Sequence, residues 1–403
     1  MKSSYATRSA LAGAAFLMAT SAIGPGFIMQ TTLFTQQLLT SFGFVILISV
    51  LLDIAAQMNT WRIITVSSLR AQDLANQVIP GAGYLLSILV VLGGLAFNIG
   101  NVSGAGLGLD IIFNLDADPQ RPVWGACISA AIALVIFWVK DSGKAMDWFA
   151  RILGIVMIGL TLYVAISSNP PVGTALKHTF WPQQTNTMAI VTLVGGTVGG
   201  YISFAGAHRL LDAGITGKQQ LPLVTRSSVQ AILLASLMRV LLFLAALGVI
   251  YAGHVLSSGN PAASVFSIAA GKAGSVIFGI VYWGAAITSV VGAAYTSVSF
   301  LKTLHPFFDL NQQMIISFFI VLSTVIFVLM GQPPVKVLVI AGTLNGFVLP
   351  VALALMLMSV VRLRTKYQYN HPLWMSIAGW TVVIVMSAMS IYTFVKDIPK
   401  LWK

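Results

Sequence analysis

Glutamate is absent from this chain of 403 residues, and all ten acidic residues are Asp. Charged side chains of either sign make up 8% of the residues, against roughly 25% in a soluble domain. That shortage excludes an ordinary soluble enzyme and a disordered chain. A single cysteine, Cys127, excludes internal disulfides and Cys-based metal or redox centres. Five His and no Glu leave too few groups for clustered acid–base chemistry. No G-x-x-x-x-G-K-[ST] loop is present, so no nucleotide drives the protein, and no cofactor is implied. The formal net charge of +12 comes from 22 Lys and Arg scattered along the chain. They form no groove for phosphates, which excludes nucleic acid as a partner.

What the chain does have is long apolar runs, with 57% hydrophobic residues overall. A membrane helix needs about 20 mostly apolar residues. Eleven stretches qualify: Leu11–Leu38, Phe42–Ile64, Gly83–Phe113, Val123–Val139, Trp148–Ser167, Met188–Leu210, Val229–Ala252, Gly274–Phe300, Met314–Met330, Val335–Val361 and Leu373–Val395. They are continuous, whereas a β-barrel needs short alternating segments. The first run has basic residues before it and small residues at Ala19–Ser21, as a signal peptide would. Its apolar character continues past Pro25, which favours a spanning helix. With the amino terminus inside, 14 Lys and Arg fall in inner segments and 7 in outer ones. This bias, like the odd span count, predicts a cell (inner) membrane protein with a cytoplasmic amino terminus and an outside carboxyl terminus. The nine Trp cluster near span ends as an interfacial belt.

Two spans carry sequence that breaks a helix. The first has Gly24-Pro25-Gly26 near its middle, where proline removes a donor and glycine adds freedom. The sixth has Gly195-Gly196-Thr197-Val198-Gly199-Gly200. Irregular backbone at membrane depth is tolerated only inside protein or along a cavity. Interrupted spans in matching positions of two halves point to a transporter's central site. The expected architecture is all-α: one transmembrane domain over residues 1–403, with five-helix inverted repeats at about 10–167 and 188–361 and an extra helix at 373–395. Gly100, Gly104 and Gly108 in the third span recur every four residues, a face for close helix packing. Gly342, Asn345, Gly346 and Pro350 mark a bend in the tenth.

The order of these motifs resembles the NRAMP family of proton-coupled divalent-metal transporters, which have the LeuT-type fold of the amino acid–polyamine–organocation superfamily. The family's first span carries Asp-Pro-Gly-Asn after a Phe-Leu-x-Ser-like run. Here Phe16-Leu17-Met18-Ala19-Thr20-Ser21-Ala22-Ile23 leads into Gly24-Pro25-Gly26-Phe27, so the ligating Asp becomes Gly24 and the Asn becomes Phe27. The family's sixth span reads Gly-x-Thr-Val-Met-Pro-His-Asn. Here the Met falls at Gly199 and the His at Tyr201. In the third span, an acidic pair that serves proton transfer is replaced by Asn98 and Asn101, ahead of Gly104-Ala105-Gly106-Leu107-Gly108-Leu109.

These departures bear on the cargo. Transition metals need carboxylate, imidazole or sulfur ligands, and Gly24, Phe27 and Gly199 supply none. No metal site is expected, and amides cannot carry the proton. A site stripped of its Asp is expected to use half-helix N-termini and free N–H groups for a small anion or zwitterion. The candidate binding set is Gly24, Pro25, Gly26, Phe27, Gln30, Asn98, Asn101, Thr197, Gly199, Gly200, Tyr201 and Ser203, with Thr31 and Thr32 as further hydroxyls. Cargoes of this chemistry include 5-oxoproline, bicarbonate and a small neutral amino acid. For any single Ser or Thr, plain interhelical hydrogen bonding is the competing explanation.

Asp53 in the second span and Arg239 in the seventh are intramembrane charges, expected to face the interior and mark a pathway or gate. His208 and Arg209 follow the second break, with Asp212 placed to pair with Arg209 at i+3. His208 is a candidate to replace the lost proton carriers. The coupling ion is a proton or sodium, the latter through hydroxyls such as Thr288 and Ser289. The reading that follows is a secondary transporter of a small non-metal solute. Proton-coupled transport of a divalent metal is the alternative. A channel, which would show charged rings, and a membrane enzyme come third.

Overall fold

A computed structural model describes residues 11, 18–19, 22–118, 120–139, 142–302 and 304–396, with the backbone alone for 142–147 and 150. The approach run at Phe16, Leu17, Thr20 and Ser21, and the basic residues Lys2, Arg8, Lys140, Lys400 and Lys403, lie outside the described residues.

Among the described residues the chain is helical, with no strand. We number the principal helices α1 (Pro25–Leu38), α2 (Phe42–Ser67), α3 (Ala71–Val78), α4 (Ala82–Phe113), α5 (Val123–Trp138), α6 (Ser142–Ser167), α7 (Val172–Phe180) and α8 (Thr187–Thr197). They continue as α9 (Ile202–Asp212), α10 (Leu221–Tyr251), α11 (Pro261–Ser299), α12 (Gln312–Met330), α13 (Pro334–Met358), α14 (Val360–Tyr367) and α15 (Leu373–Lys396).

Among the described residues, eight helical runs are long and apolar enough to cross a membrane, or nine if the segments Arg151–Ser167 and Val172–Phe180, bent by 106°, count as one. Eleven were expected. The difference lies in how the runs divide. α1 and α2 join through a 3₁₀ turn into one run, Pro25–Ser67. α5 has only 16 residues. Leu39, at φ +49°, marks the turn between α1 and α2.

Burial orders the bundle. The run Thr187–Asp212 has 94% of its apolar window inside the protein, whereas the windows of α12 and α15 have 28%. The sixth span is therefore the axis, and α12 and α15 are peripheral. α4 packs most extensively on α11, α13 lies against α8 and α4, and α2 lies against α10.

The glycine stripe of α4 is a packing face. A Cβ on Gly104 would strike Pro25, one on Gly100 would meet Leu338, and one on Gly108 would lie 2.7 Å from Trp283. Gly104 is thus what lets the break before α1 sit directly on α4.

Candidate functional site

Both expected breaks are present. Ile23 and Gly24 are non-helical, and α1 starts at Pro25 with its proline in the first turn, where a missing N–H costs nothing. The sixth span ends as α8 at Thr197 and resumes as α9 at Ile202, with Gly200 at φ +53° between them. A left-handed residue there needs glycine, and the Asn345 carboxamide of α13 fills the place a Cβ would take.

The first two amides of the second break, those of Val198 and Gly199, are spoken for. The Gly199 N–H donates to the Val194 carbonyl (3.2 Å), and Gly199 packs on the Asn345 carbonyl. The expectation that Gly199 offers a free N–H is therefore corrected: this glycine serves contact with α13. Ser203 likewise turns inward, its hydroxyl donating to the Val198 carbonyl at 2.9 Å. The Ser203 carbonyl accepts from Trp61 Nε1 (2.9 Å). Trp61 is fully buried, unlike the exposed Trp124, Trp138, Trp148 and Trp181 of the expected belt. Thr197, Thr31 and Thr32 donate to carbonyls one turn back, the ordinary role of intrahelical hydroxyls.

Gln30 is a cross-brace. Its Nε2 donates to the Leu338 carbonyl of α13 at 2.9 Å, and the side chain passes between Gly196 and Gly342. Gly26 packs on Gln30, Leu338 and Phe97. Asn98 does not reach the breaks as expected: its Nδ2 donates to Ser323 Oγ of α12 at 3.1 Å. Asn101, one turn on, does reach them. Its Oδ1 lies 3.5 Å from where a Cβ of Gly24 would be, and its side chain acts on the Tyr201 hydroxyl of the second break. Phe97 meets the Tyr201 ring edge-to-face at 5.7 Å.

Around Gly24 and Pro25 gather three further hydrogen-bonding groups, all buried and without a hydrogen-bond partner among the described residues: Asn101 Nδ2, Ser289 Oγ and Tyr282 OH. A Cβ on Gly24 would lie 3.0 Å from Ser289 Oγ, and one on Gly104 would lie 3.5 Å from Tyr282 OH. Tyr282 went unmarked in sequence because a tyrosine in an apolar helix looks like any aromatic core residue. Its pattern held no other signal.

The two intramembrane charges belong to this same place. The Arg239 guanidinium lies over the Phe27 ring, 4.1 Å from its centroid. Asp53 and Arg239 are 1% and 2% exposed, and each is the charged group acting on the other. Thr197 is the other side chain acting on the Asp53 carboxylate. Arg239 thus touches the first break through Phe27. Asp53 Oδ1 and Arg239 Nε and Nη2 have no hydrogen-bond partner among the described residues. Beside the break, Ile23, Ile28, Met157, Met238, Ala285 and Thr288 help to line a largely apolar cavity of about 300 Å³.

His208 and Arg209 sit at the far end of α9, away from the breaks. His208 Nε2 accepts from the Ala71 N–H at 3.3 Å, and its ring packs on Phe204 and Phe300. The partner of Asp212 is Arg70, at 2.6 Å, where sequence spacing had suggested Arg209. No group of three or more His, Cys, Asp or Glu that could hold a metal ion occurs among the described residues.

A family profile described as "Natural resistance-associated macrophage protein-like" matches residues 15–396. The uncharacterized membrane protein YcsG of Bacillus subtilis (strain 168) is 58% identical over 394 residues, covering 98% of this chain and 96% of its own. An uncharacterized membrane protein of Haemophilus influenzae (strain Rd) is 56% identical over 391 residues, covering 97% of each. Among solved structures, the Eremococcus coleocola manganese transporter, in complex with an aromatic bis-isothiourea substituted compound, superposes with a TM-score of 0.74. It has 17% identity, over 99% of this chain and 90% of that one. MhsT in complex with L-phenylalanine gives a TM-score of 0.70 at 15% identity, over 95% and 97%. At such identities the likeness is one of fold, and that fold is LeuT-type.

Proposed function

The chain belongs to the Nramp family of membrane transporters, and from that premise we propose that its cargo is a small solute bearing an anionic group. The class comprises small carboxylates, oxyanions such as bicarbonate, and zwitterions such as amino acids. Transport proceeds by alternating access around the two breaks. The expected polarity goes with it: one domain of two repeats plus an eleventh helix, in the cell (inner) membrane with the amino terminus cytoplasmic. The Lys and Arg bias supports that polarity.

One observation carries the reading. A guanidinium lies over Phe27 at 4.1 Å, at the position where the resembled motif supplies a ligand to a metal. A divalent ion about 6 Å from that guanidinium would be repelled by roughly 5 kcal/mol at an effective dielectric of about 20. Asp53 offsets part of this, but its carboxylate is already opposed by Arg239. Gly24, Phe27, Gly199 and Tyr201 return no ligand to compensate.

For an anion the same geometry is favourable. Nε and Nη2 form one edge of the guanidinium fork, the edge that takes a carboxylate through two parallel bonds. Both atoms are buried and unpartnered. Tyr282 OH, Ser289 Oγ and Asn101 Nδ2 add neutral donors nearby. The adjoining apolar cavity, at about 300 Å³, matches the lower end of small-molecule pockets. The LeuT-type fold imposes no metal cargo, since MhsT holds L-phenylalanine on it.

The alternative, proton-coupled transport of a divalent metal, rests on the family and on the manganese transporter of similar fold. Uptake into proteoliposomes separates the two. Labelled 5-oxoproline, bicarbonate and alanine are tested beside manganese. We expect saturable uptake of at least one of the three and no saturable manganese uptake. Arg239→Ala should lower that uptake at least tenfold. Robust manganese uptake with none of the others would overturn the reading.

A further inference from the structure

The amides at 98 and 101 leave those two positions of the third span without a proton carrier, yet one buried carboxylate stands at the site. Asp53 is 1% exposed, presents an unpartnered Oδ1, and is opposed by Arg239, whose Nε and Nη2 are also unpartnered. Other titratable groups on the helices packed against α2 lie elsewhere. His178 of α7 pairs with Thr40, and His208 of α9 with the backbone of Ala71, each beyond an end of α2. Asp212 pairs with Arg70, and Arg62 of α2 itself with Tyr369 and Thr225. Lys177, Arg209, Lys336 and Lys396, with Arg362, Arg364 and Lys366 of the short α14, stand in the terminal turns of their helices, and Arg226 in the second turn of α10.

A buried guanidinium that is acted on by one buried carboxylate, and whose Nε–Nη2 edge is open, can balance two anions in turn. We propose that Asp53 is the proton-coupling residue, and that the charge of Arg239 is balanced alternately by Asp53 and by the anionic group of the cargo. A proton adds to Asp53 Oδ1 and removes the charge that balances Arg239. The guanidinium then holds the cargo anion through Nε and Nη2. After the site reopens to the other side, the anion leaves, the proton dissociates, and the Asp53 charge again balances Arg239. One proton moves with one monoanion, so the loaded carrier crosses with no net charge gained. The stacking of Arg239 on Phe27 gives the first broken span a direct sense of which state holds.

This inference rests on the anionic cargo proposed above, and its test keeps the two apart. Proteoliposomes are set at about pH 6.0 outside and pH 7.5 inside, with pyranine trapped within and 5-oxoproline or alanine outside; bicarbonate, which would cross such a gradient as CO2 and carry its proton with it, is assayed only at equal pH. Wild-type protein should accumulate an anionic probe toward the limit of about 30-fold that one proton per anion allows. Pyranine should report proton entry only when the probe is present. A potassium–valinomycin potential should leave the rate of monoanion uptake unchanged. Asp53→Asn should keep exchange of the probe at equal pH but lose accumulation and the proton signal. Asp53→Glu, which keeps a carboxyl group, should keep both.

Probe uptake by wild-type protein without proton entry would overturn the inference whatever the variants do, and so would proton entry retained by Asp53→Asn. Either result leaves the anionic cargo standing. Manganese uptake with no uptake of the three probes removes the cargo reading, and this inference with it.

Discussion

Gly200 shows how much one residue can decide. Its φ of +53° puts it in the left-handed region, and the Asn345 carboxamide occupies the space of a Cβ. Gly200→Ala should therefore cost roughly 1–3 kcal/mol through backbone strain alone, with the clash in addition. Thermal unfolding in detergent would register it as a lower Tm. Asn345→Ala added to it should recover the clash but not the strain. Asn98 and Asn101 teach a different lesson. One residue type, repeated three positions apart, suggested one role. The structure gives two, because α4 is wedged between α12 on one side and the broken spans on the other. Sequence identified both amides, but the face each occupies is a matter of neighbours.

At the scale of the helices, the breaks at Gly24 and at 198–201 were legible because proline and glycine change backbone chemistry wherever they stand. What holds the second break open was not. The Ser203 carbonyl, in the first turn of α9, also accepts from Trp61 of α2. Trp61→Phe keeps the ring and deletes the donor, removing this bond between helices. A loss of about 0.5–1.5 kcal/mol is expected, again read as Tm, with a larger fall in transport than at an exposed tryptophan such as Trp181. If the two tryptophans behave alike, Trp61 is a belt residue after all. The α4 glycines were correctly read as a packing face, but their partners, Pro25 among them, come from distant helices. The division into spans was also partly legible: runs of apolar residues are visible, while the turn at Leu39 and the short α5 are not.

At the scale of the molecule, α15 is tied to the bundle by a polar chain. Arg62 donates to the Tyr369 hydroxyl, which donates to His371 Nδ1 (3.3 Å). His371 Nε2 donates to Asn59 Oδ1 (2.7 Å), and Asn59 Nδ2 donates to the Met375 carbonyl of α15. Burial, aided by the Arg62 guanidinium, pushes His371 down to about 4 from its usual 6.5. The folded protein then binds this proton less readily than the unfolded chain. Its contribution is complete above about pH 6.5 and is lost as pH falls toward about 4. Tm should fall across that window, and His371→Gln should reduce the fall. An equal fall in both proteins would show that another group titrates.

The sequence by itself determined that this is a multi-span helical transporter with two broken helices and a family motif emptied of metal ligands. Apolar length, proline, glycine and the absence of a carboxylate are each properties of a residue or its near neighbours. Only the tertiary structure decided that Asp53 and Arg239 are both buried and act on each other, that Arg239 lies over Phe27 at the first break, and that Tyr282 and Ser289 attend that break. Asp53 and Arg239 stand on different helices, far apart along the chain. A buried charge must find its partner through space, because in a low-dielectric interior the cost of standing alone outweighs any local preference.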